Sequence, residues 1–478
     1  MQEIDNNYSS FVASLFRNEP VLIRGVGSEW SLNAHTVWDL FGELCASDVT
    51  TPVDLQEDDA SVVRVTMRLR EFLERTVEKR EPGLYLKDLH LEQVRKRCSS
   101  VANSVCATVP DLFKDDWLNW YWQTCRSDEA DDYSFLYVGG RETVTCVHHD
   151  VFCIFSWSVN IVGDKKWTLI PPSHASALFD CKSCLVQDLR PGKYRSEDFP
   201  FLEGCQKVVV IQRQKQAIFI PAGWYHMVEN LSVEEVSDCL TISVNRNWLK
   251  AFNLDQVWLF LRAELFSVRA ELEQFRLSCD TSLSLEKGDP LQTKRLSAVD
   301  ICSGSHGGVA SMMEQEWLQH CEVVLKSNAA LGLVDFIELI SARALMMMLH
   351  AREHRGLSLA HDLTALEAAL CPRFSAYNIS QEDHDVCSLL LSTSHPCLSC
   401  DRRSYASNAL FPRDSCENDN DTRVGVETTV WDFTCAEMKK VVSSVQNCPE
   451  ATEHLGVAVC VGLDGLAQLL QDLSTANK

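Results

Sequence analysis

The feature that most constrains the fold is a series of short β-strand patterns between Tyr133 and Trp248. Runs of β-branched and aromatic residues alternate there with turns that contain Gly, Pro or Asn, which is typical of β-sandwiches and barrels. Strands are predicted at residues 134–138, 144–150, 152–162, 165–170, 207–212, 216–220, 225–229 and 239–247. Such a set predicts a jelly roll, in which two sheets face each other. The long connection 172–205 is predicted to be a loop or insertion between two strands.

Helical patterns precede and follow this barrel. Phe11, Leu15 and Phe16 recur at helical spacing ahead of a short apolar strand at residues 20–25, and a second amphipathic helix is predicted at 67–76. The chain is therefore predicted to be an α+β protein, in which a jelly roll, or double-stranded β-helix, lies between two helical regions.

The divisions of the chain follow from these changes in pattern. Leu254, Val257 and Leu261 begin an apolar stripe that predicts a helix directly after the barrel. A segment rich in Ser, Gly and Asp comes next and is predicted to be a flexible linker. The predicted divisions are a helical and mixed region packing on the barrel (1–132), the barrel (133–250), the post-barrel helix (251–276), the linker (277–310), a helical region (311–397), a disordered segment (398–425) and a terminal helical extension (426–478).

The charge of the chain limits its partners. Its 44 Lys and Arg residues are outnumbered by 67 Asp and Glu residues, so the formal net charge is −23. Repulsion between this charge and a phosphate backbone argues against direct binding of nucleic acid. The N-terminus has no basic flank followed by an apolar run, and no apolar stretch is long enough to span a bilayer. We therefore expect a soluble, intracellular protein of the cytoplasm, with no membrane partner.

Cysteine is abundant, but its distribution does not resemble a disulfide scaffold. The 21 cysteines are odd in number and spread along the whole chain, which favours reduced thiols. Two CxxC pairs, Cys181/Cys184 and Cys397/Cys400, offer four soft ligands for zinc, although they lie far apart in sequence. A local cluster is a second zinc candidate, comprising Cys371, His384, Cys387, His395, Cys397 and Cys400. Incidental cysteines are the favoured alternative, because neither spacing matches a known zinc module.

Adjacent histidines and an aspartate lie at the end of a predicted strand. Side chains alternate between the two faces of a strand, so His148 and Asp150 project together while His149 points away. His226, which follows a Pro-Gly turn, is the best candidate for a third ligand. Two histidines and one carboxylate leave open positions on iron(II), as an oxygenase requires. In a chain with 14 histidines, however, this pattern arises by chance often enough that it does not establish a metal site alone.

A basic residue that points into the barrel strengthens the functional interpretation. A dicarboxylate cosubstrate needs a cation on a neighbouring strand, and Lys165 in the sequence VGDKKW meets that need. Alternation allows one of the two adjacent lysines to point inward and the other outward. The alternative is a pair of exposed lysines beyond a turn.

Several segments resemble the JmjC (Jumonji C) oxygenase family. The similar segments are residues 145–150, 155–172, 219–231 and 241–248. The longest strings that carry the likeness are FSWSVNIVGDKKWTLIPP, FIPAGWYHMVENL and TISVNRNWLKAFNLDQVWLFLRAEL. Upstream, LYLKDLHL and DDWLNWYW resemble a member of this family, and so does EWLQHCEVVLKS near residue 320. The resemblance covers roughly residues 10 to 350 and implies a cupin-like JmjC barrel.

The resemblance also implies roles for individual residues. It makes the three predicted ligands an iron(II) site and pairs Lys165 with the distal carboxylate of 2-oxoglutarate. Thr145 and Tyr85 are similar to hydroxyl groups that assist this lysine, while Asn245 and Ser158 are similar to residues near the iron-side end of the cosubstrate. Each of these four has a structural alternative, as a strand residue, a packed aromatic, a strand-end turn former or a barrel-lining serine.

The activity implied by the resemblance is hydroxylation of a protein side chain with O2, iron(II) and 2-oxoglutarate. The implied substrate is a lysine of the class 1 peptide-chain release factor. Demethylation of an N-methyl-lysine, as on histones, is the second hypothesis because it would use the same machinery, and a non-catalytic interaction scaffold is the third. Helices after the barrel often serve dimerisation in this family, which predicts a homodimer through that region.

Three departures from the family pattern lie near the site. The hairpin at 231–239 is longer than expected, Cys146 stands where Pro is expected, and the sequence QKQA at 214–217 replaces a Gly and an acidic residue. None is a predicted ligand, so they bear on loop geometry and substrate fit. The long hairpin is expected to reshape the mouth through which the substrate enters.

Overall fold

A computed structural model describes most of the chain. The described residues are 1–26, 30, 33–56, 62–97, 109–125, 132–140, 143–231, 240–285, 307–355, 394–396 and 427–475. The chain divides into two compact units, one formed by Met1–Gln256 and Ser375–Thr434, the other by Val257–Phe374 and Cys435–Lys478.

The helices and strands are numbered in chain order. The helices are α1 (Tyr8–Arg17), α2 (Ala34–Ala46), α3 (Leu69–Leu73), α4 (Leu91–Arg97), α5 (Trp117–Thr124), α6 (Leu254–Leu285), α7 (Gly307–Ala329), α8 (Leu333–Arg355), α9 (Val430–Gln446) and α10 (Pro449–Thr475). The strands are β1 (Gln2–Asp5), β2 (Val21–Arg24), β3 (Thr50–Gln56), β4 (Val62–Arg68), β5 (Leu84–His90), β6 (Ser134–Gly140), β7 (Val144–His148), β8 (Phe155–Val162), β9 (Asp164–Ile170), β10 (Val208–Gln212), β11 (Ala217–Ile220), β12 (Tyr225–Leu231), β13 (Leu240–Trp248), β14 (Ser394–Pro396) and β15 (Glu427–Thr429).

Two sheets form the barrel of the first unit. The larger has nine strands in the order β1-β2-β11-β8-β13-β6-β5-β3-β4, and the smaller has four in the order β10-β9-β12-β7. The eight strands predicted between Tyr133 and Trp248 are β6 to β13, and they contribute four neighbouring strands to each sheet. Consecutive strands from β7 onward alternate between the two sheets, except that β9 and β10 are antiparallel neighbours in the smaller sheet. This arrangement forms a double-stranded β-helix, and the predicted α+β fold is confirmed.

One strand boundary near the histidines differs from the prediction. Strand β7 ends at His148, and a 3-10 turn at Val151–Cys153 separates it from β8, whereas strands were predicted through 150 and from 152. Within that turn Phe152 and Cys153 have φ angles of 37° and 55°, a left-handed conformation that is unusual for residues other than glycine. The alternating pattern of side chains therefore breaks just beyond Asp150.

The N-terminal region is part of the barrel rather than a helical layer alone. Strands β1 and β2 extend the larger sheet beyond β11, and β3 to β5 extend it beyond β6. The predicted helix at 67–76 is partly wrong, because β4 continues to Arg68 and only then do α3 and a π-helical turn at Glu74–Glu78 follow. The predicted helix around Phe11 is confirmed, and its ring packs edge-on against Phe113 and Phe219.

The connection at 172–205 lies on the outer face of the smaller sheet. It begins with a 3-10 helix at Pro172–Leu178 and buries Leu178, Val186 and Leu202 in one apolar cluster with Met227 of β12. Burial of apolar surface makes this long segment a packed cover of the strands that carry the histidines. Cys181 and Cys184 are exposed on it as free thiols, whereas Cys397 and Cys400 lie outside the described residues.

The second unit is helical in the part that the structure describes. Helix α6 continues to Leu285 and α7 begins at Gly307, so helix occupies both ends of the predicted linker at 277–310. Glu322 of α7 accepts the backbone N–H of Val334 at 3.1 Å and lies 2.6 Å from Nε2 of His454. The predicted disordered segment at 398–425 and most of the cysteine cluster at 371–400 lie outside the described residues. Dimerisation through α6 stays a prediction.

None of the helices described is apolar over a stretch long enough to cross a membrane.

Candidate metal and cosubstrate site

The two predicted histidine ligands lie opposite each other on paired strands. His148 of β7 is the register partner of His226 of β12, and their ring centroids are 4.2 Å apart. Asp150 lies two residues beyond the end of β7 with an extended backbone, φ −65° and ψ 153°. Its carboxylate and the two imidazoles offer ligand atoms that all lie within 4.8 Å of one another. His149 points elsewhere, with its ring edge-on to Tyr225 at 5.0 Å.

Backbone contacts select the ring nitrogens that are available to a metal. Nδ1 of His148 lies 2.8 Å from the carbonyl oxygen of Cys146, and Nδ1 of His226 lies 3.1 Å from that of Trp224. A carbonyl oxygen only accepts hydrogen bonds, so each Nδ1 carries the proton and each Nε2 is left with a lone pair. Contacts of this kind orient the imidazoles of metal sites and fix their tautomer.

Burial keeps the first histidine neutral. Loss of water around the imidazole, and then the adjacent His226, lower the pKa of His148 to about 3. A neutral imidazole is the form that binds a metal, so His148 needs no deprotonation at neutral pH.

The carboxylate is oriented by two side chains that the sequence did not reveal. Ser156 of β8 donates its hydroxyl to Oδ2 of Asp150 at 2.7 Å, and Asn247 of β13 donates Nδ2 to Oδ1 at 3.3 Å. The left-handed turn at Phe152 and Cys153 follows immediately, so a strained backbone segment lies beside the carboxylate.

The turn before His226 is fixed by the N-terminal region. The reversal between β11 and β12 requires a left-handed backbone conformation at Gly223, where φ is 72°. Glycine adopts this conformation readily because it has no side chain. Asn18, just after α1, accepts the N–H of Ala222 and donates to its carbonyl, both at 3.0 Å. The backbone carbonyl of Asn18 also accepts Nε1 of Trp224 at 3.0 Å. The N-terminal region thus positions His226 through Asn18, which lies more than 200 residues away in sequence.

Lys165 is buried in the barrel. Its side chain is 1% exposed, and Nζ donates to Oγ of Ser243 at 2.6 Å. Desolvation, with a smaller contribution from Lys87, lowers the pKa of Lys165 to about 7. In the described part of the chain, no carboxylate forms an ion pair with it. The adjacent Lys166 instead forms an ion pair with Glu229 at 2.8 Å, so the two lysines have different environments.

The other predicted cosubstrate residues form two hydrogen-bonded pairs. Oγ1 of Thr145 donates to the hydroxyl oxygen of Tyr85 at 3.4 Å, and burial raises the pKa of that tyrosine to about 12. Ser158 and Asn245 are register partners on β8 and β13, joined by a 2.7 Å hydrogen bond. Ser243, which the sequence interpretation missed, donates to Oδ1 of Asn245 at 3.1 Å and thereby links this pair to the buried lysine.

This donor set fits iron(II). Among the residues that the structure describes, His148, Asp150 and His226 are the only group of three or more His, Cys, Asp or Glu side chains close enough to hold a metal. Two neutral imidazoles and one carboxylate, without thiolate, match the facial triad of non-haem iron oxygenases. A buried lysine on a neighbouring strand supplies the cation that a dicarboxylate cosubstrate requires.

Residues 9–254 match the family described as Cupin-like domain. The chain belongs to the Cupin-like domain family. A Danio rerio protein named 2-oxoglutarate and iron-dependent oxygenase JMJD4 is 32% identical over 329 residues, 66% of this chain and 66% of that protein. The Homo sapiens protein of the same name is 28% identical over 351 residues, 70% of this chain and 72% of its own. An Arabidopsis thaliana protein named Arginine-specific demethylase JMJ20 is 30% identical over 296 residues, 56% of this chain and 60% of its own.

These comparisons bear on the predictions for the cupin-like chain. They confirm the predicted resemblance to JmjC-type proteins, and the names of these relatives refer to the two predicted cofactors, iron and 2-oxoglutarate. The chain spans just under two thirds of the length of the Danio rerio relative. The relatives differ in the reaction that they are named for, since two are named oxygenases and one is named a demethylase.

Proposed function

We propose that this chain is an iron(II)- and 2-oxoglutarate-dependent dioxygenase that hydroxylates a protein side chain, specifically a lysine of the class 1 translation release factor. The observation that carries the oxygenase assignment is the combination of a facial His-Asp-His donor set and a buried lysine without a carboxylate partner in the described chain. A structural metal site would need no such lysine.

The residue roles follow from the contacts of each side chain. Nε2 of His148, Nε2 of His226 and a carboxylate oxygen of Asp150 hold iron(II). When bound, iron(II) and 2-oxoglutarate supply the oxidising chemistry, in which O2 is consumed and succinate and carbon dioxide are formed.

Lys165 orients the cosubstrate by pairing with its distal carboxylate. That carboxylate favours the charged ammonium, so its binding should raise the pKa of Lys165, which desolvation lowers in the free protein. The hydroxyl group of Tyr85, which accepts a hydrogen bond from Thr145, donates a further hydrogen bond at this end. Asn245 and Ser158 lie toward the iron-side end of the cosubstrate.

Aromatic packing limits the access of water to the ligands. The Trp167 ring lies 5.7 Å from that of His226 and is 2% exposed, with Nε1 donating to Gln212 at 2.8 Å. Exclusion of bulk water strengthens the interaction between a buried ammonium and a carboxylate and protects reactive species from side reactions.

The lysine of a release factor is the proposed substrate because the sequence resembles a lysyl hydroxylase of the JmjC family. A release factor acts in translation, so this proposal also assigns the chain to the cytoplasm. To test it, the purified chain is incubated with release factor, iron(II), ascorbate and 2-oxoglutarate. Peptide mass spectrometry should then find the mass of one oxygen atom added to an unmodified lysine. No mass change on the release factor would remove this substrate.

Demethylation is the second candidate, because a relative from Arabidopsis thaliana is named an arginine-specific demethylase. The same experiment with N-methylated peptides separates the two reactions, since a demethylase releases the methyl group and leaves an unmodified side chain. A non-catalytic scaffold is the third candidate. Formation of succinate by the wild-type chain, and its loss in His226→Ala, would exclude it.

A further inference from the structure

A tyrosine outside the predicted set lies beside the buried lysine. Tyr137 of β6 is the register partner of Ser243, which accepts the hydrogen bond from Lys165. Nζ of the lysine lies 5.5 Å from the centroid of the Tyr137 ring. A cation within about 6 Å of an aromatic ring is attracted to the negative face of the ring, most strongly where water is excluded.

The orientation of this ring is fixed from its other end. The Tyr137 hydroxyl donates to Oδ1 of Asp88 at 2.7 Å, and Oδ2 of Asp88 accepts from Nη1 of Arg64 at 2.9 Å. Arg64 also donates Nε to Asp54 at 2.8 Å, so the aspartate belongs to an ion-pair network across β3, β4 and β5.

A bulge in β5 brings this carboxylate to the tyrosine. The register of β5 and β6 shifts between Leu86 and Leu89, and Asp88 within the bulge has φ 61°. Bulges of this kind redirect a side chain and are frequent next to functional sites. A negative charge that accepts a hydrogen bond from the phenol also increases the electron density of the ring that faces the lysine.

We propose that Tyr137 is a positioning residue, whose ring holds the Lys165 ammonium as a cation aimed at the distal carboxylate of the cosubstrate, and that Asp88 aligns this ring. The inference rests on the proposed function, since it assigns Lys165 to 2-oxoglutarate. It adds a residue that neither the sequence pattern nor the donor set indicated.

The charges around the lysine make this contribution necessary. Lys87 on β5 repels the ammonium, and burial removes its hydration. Besides Lys87, the described structure shows two phenols in this region: Tyr137 next to Lys165, and Tyr85, whose ring lies 6.1 Å from that of Tyr137. Burial raises the pKa of both phenols, so both are neutral near pH 7. The aromatic face thus stabilises the charge, together with the hydroxyl of Ser243, before a carboxylate binds.

The test compares two substitutions at Tyr137 in the full chain loaded with manganese(II). Tyr137→Phe keeps the ring, and Tyr137→Leu removes it. We expect the dissociation constant for 2-oxoglutarate, measured by calorimetry, to rise about tenfold in the leucine variant and less than about threefold in the phenylalanine variant. Tyr194→Leu, in an aromatic that packs on the outer face of the smaller sheet, is the matched control and should bind normally. If the leucine variant does not fold, Tyr137→Met fills a similar space and makes the same comparison.

The pH dependence of 2-oxoglutarate binding provides a second readout, which loss of packing alone would not change. Without the ring, Lys165 loses its proton at lower pH, so the weakening of 2-oxoglutarate binding with rising pH should begin at lower pH than in the wild type. At saturating 2-oxoglutarate, kcat should stay near the wild-type value while KM rises. Wild-type affinity and pH profile in the leucine variant, or equal weakening in both variants, would overturn the role of the ring.

Failure of this inference is distinguishable from failure of the proposed function. If the wild type binds 2-oxoglutarate but oxidises no protein substrate, the hydroxylase proposal fails while the binding ratios still decide the role of Tyr137. If the wild type binds no 2-oxoglutarate, both proposals fall.

Discussion

Lys165 and Lys250 are both buried lysines of the barrel unit, but among the residues that the structure describes only Lys250 has a carboxylate partner. Nζ of Lys250 lies 3.1 Å from Oδ2 of Asp115 and 3.2 Å from the hydroxyl oxygen of Tyr8, and its side chain is fully buried. Lys165 is equally buried and donates to a serine hydroxyl. Lys250 has its charge compensated within the fold, whereas Lys165 is suited to bind an anion from solution.

The same substitution should therefore have opposite effects at the two positions. Lys165→Met removes a buried charge that has no carboxylate partner in the described chain and should stabilise the metal-free protein by about 1 to 4 kcal/mol at pH 7. Lys250→Met leaves Asp115 buried and unpaired and should destabilise it by about 3 to 5 kcal/mol. Urea unfolding of both variants checks the signs. A loss of stability in Lys165→Met would contradict this assignment.

The stability difference at Lys165 should also depend on pH. The folded pKa is about 7, below the ordinary value of 10.5. Between these two values the unfolded chain holds a proton that the folded lysine lacks, so this group makes the wild type more stable as pH rises. The advantage of Lys165→Met over the wild type should shrink between pH 7 and pH 10, which the same unfolding curves measure. A constant difference would indicate that Lys165 has an ordinary pKa.

Binding of 2-oxoglutarate should weaken above about pH 7. The charged lysine pairs with the distal carboxylate, and above its pKa the free protein loses that charge. We expect the dissociation constant to rise by up to about tenfold per pH unit there and to be flat below. Lys165→Arg is the control. Arginine fits the site less well and should bind 2-oxoglutarate more weakly, but because it stays charged its dissociation constant should not change with pH. A flat wild-type profile from pH 6 to 9 would exclude Lys165 as the titrating partner.

Metal binding should depend on His226 but not on His149, which is adjacent to His148 in sequence. His226→Ala removes one of three ligands and should lower manganese(II) affinity and succinate formation by more than about a hundredfold, beyond the effect of losing a supporting contact. His149→Ala should retain both, since that ring points to Tyr225 instead. Calorimetry and succinate detection give the two readouts. Equal loss in both variants would show that the assignment of the triad is wrong.

The absence of a side chain at Gly139, next to Tyr85, should be essential for binding of 2-oxoglutarate. A Cβ at Gly139 would lie 2.5 Å from Nδ2 of Asn230 and 2.7 Å from Cδ2 of Tyr85. Gly139→Ala should therefore displace the tyrosine and raise the KM for 2-oxoglutarate by about tenfold or more, because a hydrogen bond to a charged group is weakened. A Cβ at Gly140 would meet no atom within 4 Å, so Gly140→Ala is the matched control. Steady-state kinetics that do not separate the two variants would contradict this.

Local patterns in the sequence were sufficient for the barrel strands and for the selection of His148 over His149. Alternation and turn residues depend on a few neighbouring positions, so they can be read without tertiary contacts. The helix predicted at 67–76 begins two residues later than predicted, because Met67 and Arg68 pair with β3 at the end of β4, and this pairing overrides their helical periodicity. Ser156, Asn247 and Ser243 were missed because isolated polar residues on strands carry no pattern.

The sequence by itself determined the jelly roll, the two histidines and aspartate at strand ends, and the pair Lys165 and Lys166 from which one would point inward. The sequence also favoured Lys165 of this pair, but only the tertiary structure decided that Lys165 has no carboxylate partner in the described chain and that Lys250 is neutralised by Asp115. The physical reason is that the charge state of a buried group depends on what distant strands bring to it. Alternation fixes the face on which a side chain lies, whereas the partners on that face come from the folding of the whole barrel.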